Sequence, residues 1–407
     1  MHSTLALHGG PKVRDQSRHW PTWPEHGETE QVRVAAVLAS GTWADVDGPE
    51  VRALSERFAI AHGTRYGLAV SSGTAALWIT LRALGVGVGD EVILPAYTFM
   101  ATASVVLEVG ATPVFVDIEP LSLNMDPGEV AGAISERTRA IISVHMAGIP
   151  CNMKEIVRIG QSHGIPIVED AAQAHGASID GVSVGGWGDM GCFSFQASKN
   201  LSSGEGGMIV LNDSDGYALV WSLHNCGRKM GEPWYKHFLL GENWRMTEMQ
   251  AAILQAQMDR WPDHRTRRQR NAAYLTEHLL NVDEVALPTI PSYVTEAAWH
   301  LFPFWVRDAN SVEAVNLIAS ALQAEGLPVF PGYPMPLYRQ PLFQHYQTVV
   351  HASHGEPYLF HTEKACDQIL WIPQYALLGG EDDMKDLIVG IKKVLSHTQI
   401  RSRLTSD

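Results

Sequence analysis

Between residues 66 and 212 the chain repeats one rhythm: a short run of β-type residues, a helical stretch, then another run. YGLAVSS, EVILPAY, TPVFVDI, RAIISVH, PIVED, MGCFSF and GMIVLN each read as a strand. They are short and rich in β-branched or aromatic residues. Several are apolar on both faces, as central strands of a covered sheet are. The spacing predicts helices over 74–84, 101–108 and 153–163 between them. Parallel neighbours need a crossover connection, and the crossover helices cover the sheet. The fold class is therefore α/β: an open, mostly parallel sheet with helices on both faces.

The flanks extend this frame. In PEVRALSERFAIAHG, Val51, Leu54 and Phe58 recur at helical spacing, predicting an amphipathic helix that stops at Gly63. RMTEMQAAILQAQMDRW and RRQRNAAYLTEHLL read as two helices broken at Pro262, with the arginines at 265–270 on a solvated face. After about Asn281 the pattern changes: PSYVTEAAWHLFPFWV reads as a strand with its lead-in, SVEAVNLIASALQAEG as a helix, and EDDMKDLIVGIKKVLS as a final helix. The expected organisation is an N-terminal arm over 1–40, a large α/β domain over 41–280 and a smaller α+β domain over 281–407. The Pro- and aromatic-rich GYPMPLYRQPLF is a loop inside the last of these.

Charge and cysteines exclude several function classes. A formal net charge of −14 argues against nucleic acid or an anionic membrane as the main partner. A bound phosphate would have to be held by local dipoles and a few donors. Cys151, Cys192, Cys226 and Cys366 show no CxxC spacing, so neither a disulfide framework nor a zinc site is expected. His351, His354 and His361 lie in a polar loop without ligand-like spacing, and no metal is expected. The N-terminus lacks a signal-peptide pattern and no apolar run reaches membrane-spanning length, which points to the cytoplasm.

Three short motifs stand at the ends of expected strands. In SSGTAAL, the residues Ser71, Ser72, Gly73 and Thr74 join a strand to a helix; the free N–H groups of a helix start suit a phosphate, although Ser and Thr equally suit a plain cap. PIVEDAAQAHGA ends a strand with Glu169 and Asp170, where open α/β sheets place ligands. FSFQASKNLSSGEGG puts Lys199 just past another strand, where a lowered pKa lets lysine form a Schiff base. A phosphate cradle, an aspartate for a pyridine nitrogen and an imine-forming lysine are together what pyridoxal 5'-phosphate (PLP) requires. His145 and His175 lie near this set as structural histidines. GVGVGDEV precedes a strand instead of following one, so it is a turn and not a dinucleotide fingerprint. Glu205 shapes the loop after Lys199.

With SSGTAAL, DEVILPAYTFMATASVV, ATPVFVDI, VHMAG, VEDAAQAHGA, FSFQASKNLSSGEGG and ENWRMTEMQAAIL in this order, the chain from about Gly41 onward resembles the DegT/DnrJ/EryC1/StrS family of PLP-dependent sugar and cyclitol aminotransferases. The resemblance implies the fold-type-I aminotransferase architecture and a homodimer with shared active sites. It further implies that Lys199 carries the cofactor and moves the proton, that Asp170 pairs with the ring nitrogen, and that Gln173 bonds the ring's phenolic oxygen. Phe99 would stack on the ring; Gly73, Thr74 and Ser194 would hold the phosphate; Asn243 would reach the phosphate in the neighbouring subunit.

Some relatives carry histidine in place of the lysine and are dehydratases; Lys199 disfavours that reading. The expected activity is transfer of an amino group from L-glutamine or L-glutamate to a keto-cyclitol or keto-sugar in specialised metabolism, such as aminoglycoside-type antibiotic synthesis. The N-terminal LALHGGPKVR…WPTWP resembles the branch with scyllo-inosose aminotransferases and aminohydroxybenzoate synthases. A nucleotide-linked keto-sugar aminotransferase and an aromatising lyase of the aminohydroxybenzoate synthase type are the alternatives, and a catalytically silent PLP-binding protein is a third class that the intact Lys199–Asp170 pair argues against. Arg228 and Arg339 are candidate partners for a donor carboxylate, and Tyr333 and Tyr338 candidates for the acceptor pocket.

Overall fold

The structure is a computed structural model describing residues 4–15, 17–44, 48–352, 358–397 and 400. The seven predicted strands all form: β1 (Tyr66–Val70), β2 (Glu91–Pro95), β3 (Thr112–Val116), β4 (Thr138–Val144), β5 (Ile167–Asp170), β6 (Met190–Ser194) and β7 (Gly207–Leu211). With β9 (Val349–Val350) they make an eight-stranded sheet in the order β1-β7-β6-β5-β4-β2-β3-β9. All neighbours from β6 to β9 run parallel, and β7 is antiparallel to both β1 and β6. β2, β5, β6 and β7 are buried throughout, as expected of strands covered on both faces.

The covering helices follow the sequence pattern closely. α1 (Glu28–Ser40) and α2 (Pro49–Ala61) precede the sheet. α3 (Gly73–Ala83), α4 (Ala101–Glu108) and α5 (Met153–His163) are the predicted crossovers, within a residue of their expected ends. The small domain holds an antiparallel sheet that includes β8 (Leu301–Val306) and β10 (Ile369–Pro373), backed by α7 (Val312–Ala324) and α8 (Glu381–Leu395). Phe302, Phe304, Leu370 and Ile372 from the two strands lie fully buried in its core.

Two expectations need correction. The break at Pro262 does not occur: α6 runs without interruption from Glu248 to Leu279, starting at a Thr247–Gln250 capping box. An interior proline costs a helix about 3 kcal/mol, but both halves are anchored by packing. Leu254, Met258 and Trp261 sit in the core under the large sheet, while Ala272, Leu275 and Leu279 belong to the small-domain core. Of the arginines at 265–270, only Arg270 is exposed as expected; Arg265 and Arg267 are partly buried and Arg268 fully so. α6 bridges the two domains, so Arg265 bonds Glu296 at 3.0 Å, Arg267 bonds the Leu378 carbonyl, and Arg268 is 1 % exposed.

The N-terminal arm and an internal stretch, 337–350, tie the domains together. Leu5 packs into the small-domain core, and Arg14, buried, pairs with Asp383 at 2.7 Å and Asp386 at 2.9 Å. Farther on, α1 docks on α6, where Glu30 accepts from Gln257 at 2.9 Å. The stretch 337–350 leaves the small sheet and packs on the large one. The Leu337 N–H reaches the Ala96 carbonyl, Phe343 packs edge-on against Phe115, and β9 extends the sheet beside β3. Among the described residues no helix is long and apolar enough to cross a membrane, and no three His, Cys, Asp or Glu side chains are grouped to hold a metal. His354 lies outside the described residues.

Candidate active site

A cavity of about 850 Å³ opens where β1, β5 and β6 end, facing the small domain. Gly73, Thr74, Phe99, Asp170, Gln173, Ser194 and Lys199 all line it. Asn243 does not; it is exposed and forms an isolated antiparallel bridge with Asn225 of its own chain.

The anion-binding corner comes from close packing. The Ser72 hydroxyl accepts the Ala75 N–H at 3.0 Å as the cap of α3, and leaves the first N–H groups of the helix at the cavity edge. Gly73 has to be glycine, since a Cβ there would stand 2.8 Å from the Ser194 Cβ. Gly207 is pressed in the same way, with the Ser72 carbonyl 2.3 Å from where its Cβ would be. The turn before α3 and the ends of β6 and β7 thereby form one cradle.

Strand alternation separates the two adjacent carboxylates. Asp170 faces the cavity: its Oδ2 accepts the Thr102 hydroxyl at 2.8 Å and its Oδ1 the Ala172 N–H at 3.2 Å. Burial raises its pKa, opposed by those bonds and by Lys199. Glu169 faces away and is a framework residue. It accepts N–H groups of Gly185, Trp187 and Gly188 at 2.7–2.8 Å, and pairs with buried His145 at 3.1 Å. The His145 Nδ1 accepts the Cys151 N–H, so Nε2 carries the proton given to Glu169.

Lys199 projects from a loop pinned on several sides. Its own N–H bonds the Gln196 carbonyl at 2.8 Å, Ala197 N–H bonds Gly204, and the indole of Trp23 donates to the Ala197 carbonyl at 2.9 Å. Its neighbour Asn200 donates to the Ala298 carbonyl and accepts the His300 Nδ1–H. Burial lowers the Lys199 amine to about 8, against the upward pull of Asp170. Burial thus pushes both members of the pair toward neutrality, which makes proton exchange at the lysine accessible near neutral pH.

Gln173 accepts the Ala147 N–H at 2.8 Å. Phe99 is 58 % exposed at the cavity mouth, an apolar face left uncovered. Of the acceptor-pocket candidates, Tyr333 lines the cavity and Tyr338 does not, being bonded to Glu363. Neither Arg228 nor Arg339 lines the cavity. Arg228 bonds Asn225 and the Trp234 carbonyl, and Arg339 pairs with Glu363 at 2.7 Å. Sequence reasoning missed Trp23, Thr102, His300, Trp371 and Gln374, which complete the wall. WPTWP, read as a branch marker, and DEVILPAYTFMATASVV, which contains Thr102, carried the signals for the first two of these.

The same frame recurs in known proteins. The DegT/DnrJ/EryC1/StrS aminotransferase family model matches residues 24–390. A UDP-N-acetyl-3-dehydro-α-D-glucosamine 3-aminotransferase of Acidithiobacillus ferrooxidans is 42% identical over 73% of this chain and 78% of its own length. An L-glutamine:2-deoxy-scyllo-inosose aminotransferase of Streptomyces lividus is 36% identical over 98% and 99%. The crystal structure of a 3-amino-5-hydroxybenzoic acid synthase superposes with a TM-score of 0.88 at 30% identity, covering 93% of this chain and 99% of that one. With the strand-end lysine, the buried aspartate and the glycine cradle in one cavity, the chain belongs to the DegT/DnrJ/EryC1/StrS aminotransferase family and is an aminotransferase.

Proposed function

We propose that this chain is a PLP-dependent enzyme that moves nitrogen from L-glutamine or L-glutamate to the keto group of a cyclitol or sugar in specialised metabolism, acting in the cytoplasm as a homodimer. The observation that carries the reading is the meeting of Lys199, Asp170 and the Gly73–Ser194 cradle at one cavity. The residues present fit the cofactor: Gly73, Thr74 and Ser194 for its phosphate, Asp170 for its ring nitrogen, Gln173 for its phenolic oxygen, Phe99 for its ring face and Lys199 for its aldehyde. Bound there, PLP supplies a carbonyl that condenses with amines and a ring that draws electrons from the adjacent carbon.

The protein's own groups do the rest. The Lys199 Nζ, lowered to about 8, is partly neutral near neutral pH and takes the proton from the donor's α-carbon. In the return half it gives a proton back at the carbon that gains nitrogen. The Asp170 carboxylate would pair with the ring nitrogen and favour its protonated form, and Thr102 fixes that carboxylate's orientation. The Trp23 contact to the Ala197 carbonyl holds the lysine loop, and Trp23 lines the cavity beside it.

The full-length similarity to a scyllo-inosose aminotransferase supports a cyclitol acceptor, and the glucosamine relative a nucleotide-linked one. Exposed Trp234, Tyr235 and Leu240 precede Asn243 on one apolar segment, which supports the proposal that this segment meets a second copy and that Asn243 completes the partner's phosphate site. Full activity of a monomer at high dilution would refute that role.

The test splits the reaction in two. Holoenzyme is treated with L-glutamine or L-glutamate, loss of the lysine-linked cofactor's absorbance is followed, and excess donor is removed. Scyllo-inosose and a nucleotide-linked ketohexose are then offered separately. Recovery with the cyclitol supports the first acceptor, and recovery only with the nucleotide sugar supports the second. Absorbance unchanged by either donor overturns the transfer reading in favour of an aromatising lyase, the reading that the hydroxybenzoate synthase likeness supports.

A further inference from the structure

The cavity is short of cations. Among the described residues, the side chains of fixed charge along its wall are Lys199, Asp170 and Glu205. Lys199 is committed to the cofactor in the reading above, and the two arginines that the sequence suggested are engaged elsewhere. An amino-acid donor nonetheless brings an α-carboxylate that has to be met by donors or positive charge.

One layer behind the wall stands an arginine without an acid. The guanidinium of Arg268 is 1 % exposed and, among the described residues, pairs with no carboxylate; it lies over Trp23 at 5.2 Å, and one terminal nitrogen has no hydrogen-bond partner among them. Its other two donors, Nε at 3.1 Å and the second terminal nitrogen, both go to the Oε1 of Gln374. Burial and neighbouring Arg267 lower Arg268 only to about 9, so it stays charged at pH 7. A buried cation without a counter-ion is costly, and an anion placed nearby relieves that cost.

Gln374 lines the cavity at the end of β10, beside Trp371 and Tyr375. Its backbone is fixed by the bond from its N–H to the His300 carbonyl. With Oε1 occupied twice by a cation, its amide orientation is set and the NH₂ is what remains to face a ligand. That NH₂ makes one long bond, 3.4 Å, to the carbonyl of Ser198, next to Lys199. The side chain is therefore a donor-only group, polarised by a full positive charge, in the wall of the cavity that Lys199 also lines.

We infer that Gln374, oriented by the buried Arg268, seats the α-carboxylate of the amino donor. Gln374 is the binding residue and Arg268 the positioning residue behind it. The inference rests on the aminotransferase reading of this cavity and names the group that receives the donor.

The test uses holoenzyme carrying Gln374→Glu, which neutralises Arg268 and turns a donor into a like charge, and Gln374→Met, which removes the amide at similar volume. The expected result is a rise of about tenfold or more in the apparent dissociation constant for L-glutamine or L-glutamate with the glutamate variant, and a smaller rise with the methionine variant. The acceptor half-reaction, begun from aminated enzyme with a neutral keto-cyclitol, should change by less than about threefold. Calorimetric binding of glutarate, a carboxylate that cannot react, should weaken in the same order. The methionine variant carries the test if the glutamate variant does not fold. Equal glutarate affinity in the unaltered and variant proteins overturns the inference, as does equal loss in both half-reactions. Failure of L-glutamine and L-glutamate to convert the unaltered holoenzyme overturns the donor assignment instead; glutarate discrimination in that case still upholds the carboxylate seat.

Discussion

The two walls of the cavity are built on different principles. The wall on the large domain takes Gly73, Asp170, Ser194 and Lys199 from the segments that follow or end β1, β5 and β6, each inside a short motif. The opposite wall takes Trp23 from the N-terminal arm, His300 and Tyr333 from separate small-domain segments, Trp371 from β10 and Gln374 from just after it. The first wall is set by sheet topology, because parallel strands deliver their C-terminal ends to one edge. The second is set by how arm, α6 and small domain dock. The first suits chemistry common to a whole family, and the second suits selection among substrates. Substitutions on the first wall should therefore change rate constants for both half-reactions, and those on the second should change affinity for one substrate.

The largest expected effect is on the first wall. Lys199→Ala should reduce turnover below detection with any donor while the thermal midpoint stays close to that of the unaltered protein; measurable transamination by this variant would break the contrast at its base. Asp170→Asn should follow, lowering the rate constants of both half-reactions by about a hundredfold, the scale of a lost proton-holding group. An effect confined to one substrate's KM would move Asp170 to the other wall. Tyr333→Phe should be milder: about a tenfold rise in KM for the keto acceptor, with the donor half-reaction within about twofold, the size of one lost hydrogen bond.

The smallest functional effect, though a clear one in stability, concerns acid. Behind the first wall His62 is fully buried, and burial lowers it to about 4; buried His224, under the same sheet, is also lowered to about 4. Below the unfolded value of about 6.5 the unfolded chain binds protons that the native state refuses, so stability falls as pH drops from 6.5 toward 4. Each histidine contributes roughly 2–3 kcal/mol of that loss by pH 4. Thermal melts across this range should show the decline, and His62→Phe should flatten part of it. A midpoint that held steady from pH 6.5 to 4 would contradict the burial assigned to these rings.

Much of the first wall was legible because its signals are local. A β-branched run followed by SSGT, ED or SK needs only near neighbours to show a strand end carrying donors or acids. Asp170 was assigned to the ring nitrogen from its residue type and the family resemblance, while Glu169 took no role from the sequence. The framework role of Glu169 needed the strand's orientation, since alternate side chains take opposite faces. The second wall carried no local signal. Gln374 follows an ordinary buried strand, and Arg268 sits in an arginine-rich stretch that reads as solvated until α6 is placed between the domains. The helix break expected at Pro262 failed for a related reason: propensity is a local cost of a few kcal/mol, and burial along a 32-residue helix exceeds it.

What the sequence determined by itself was the parallel α/β frame, the cofactor-type constellation and the family, because hydrophobic period and strand-end motifs act over a few residues. The tertiary structure alone decided that Thr102 orients the Asp170 carboxylate, that Trp23 holds the lysine loop, and that a buried arginine stands behind Gln374. Those contacts join residues 68 to 176 positions apart, and such partners are chosen by how whole elements dock.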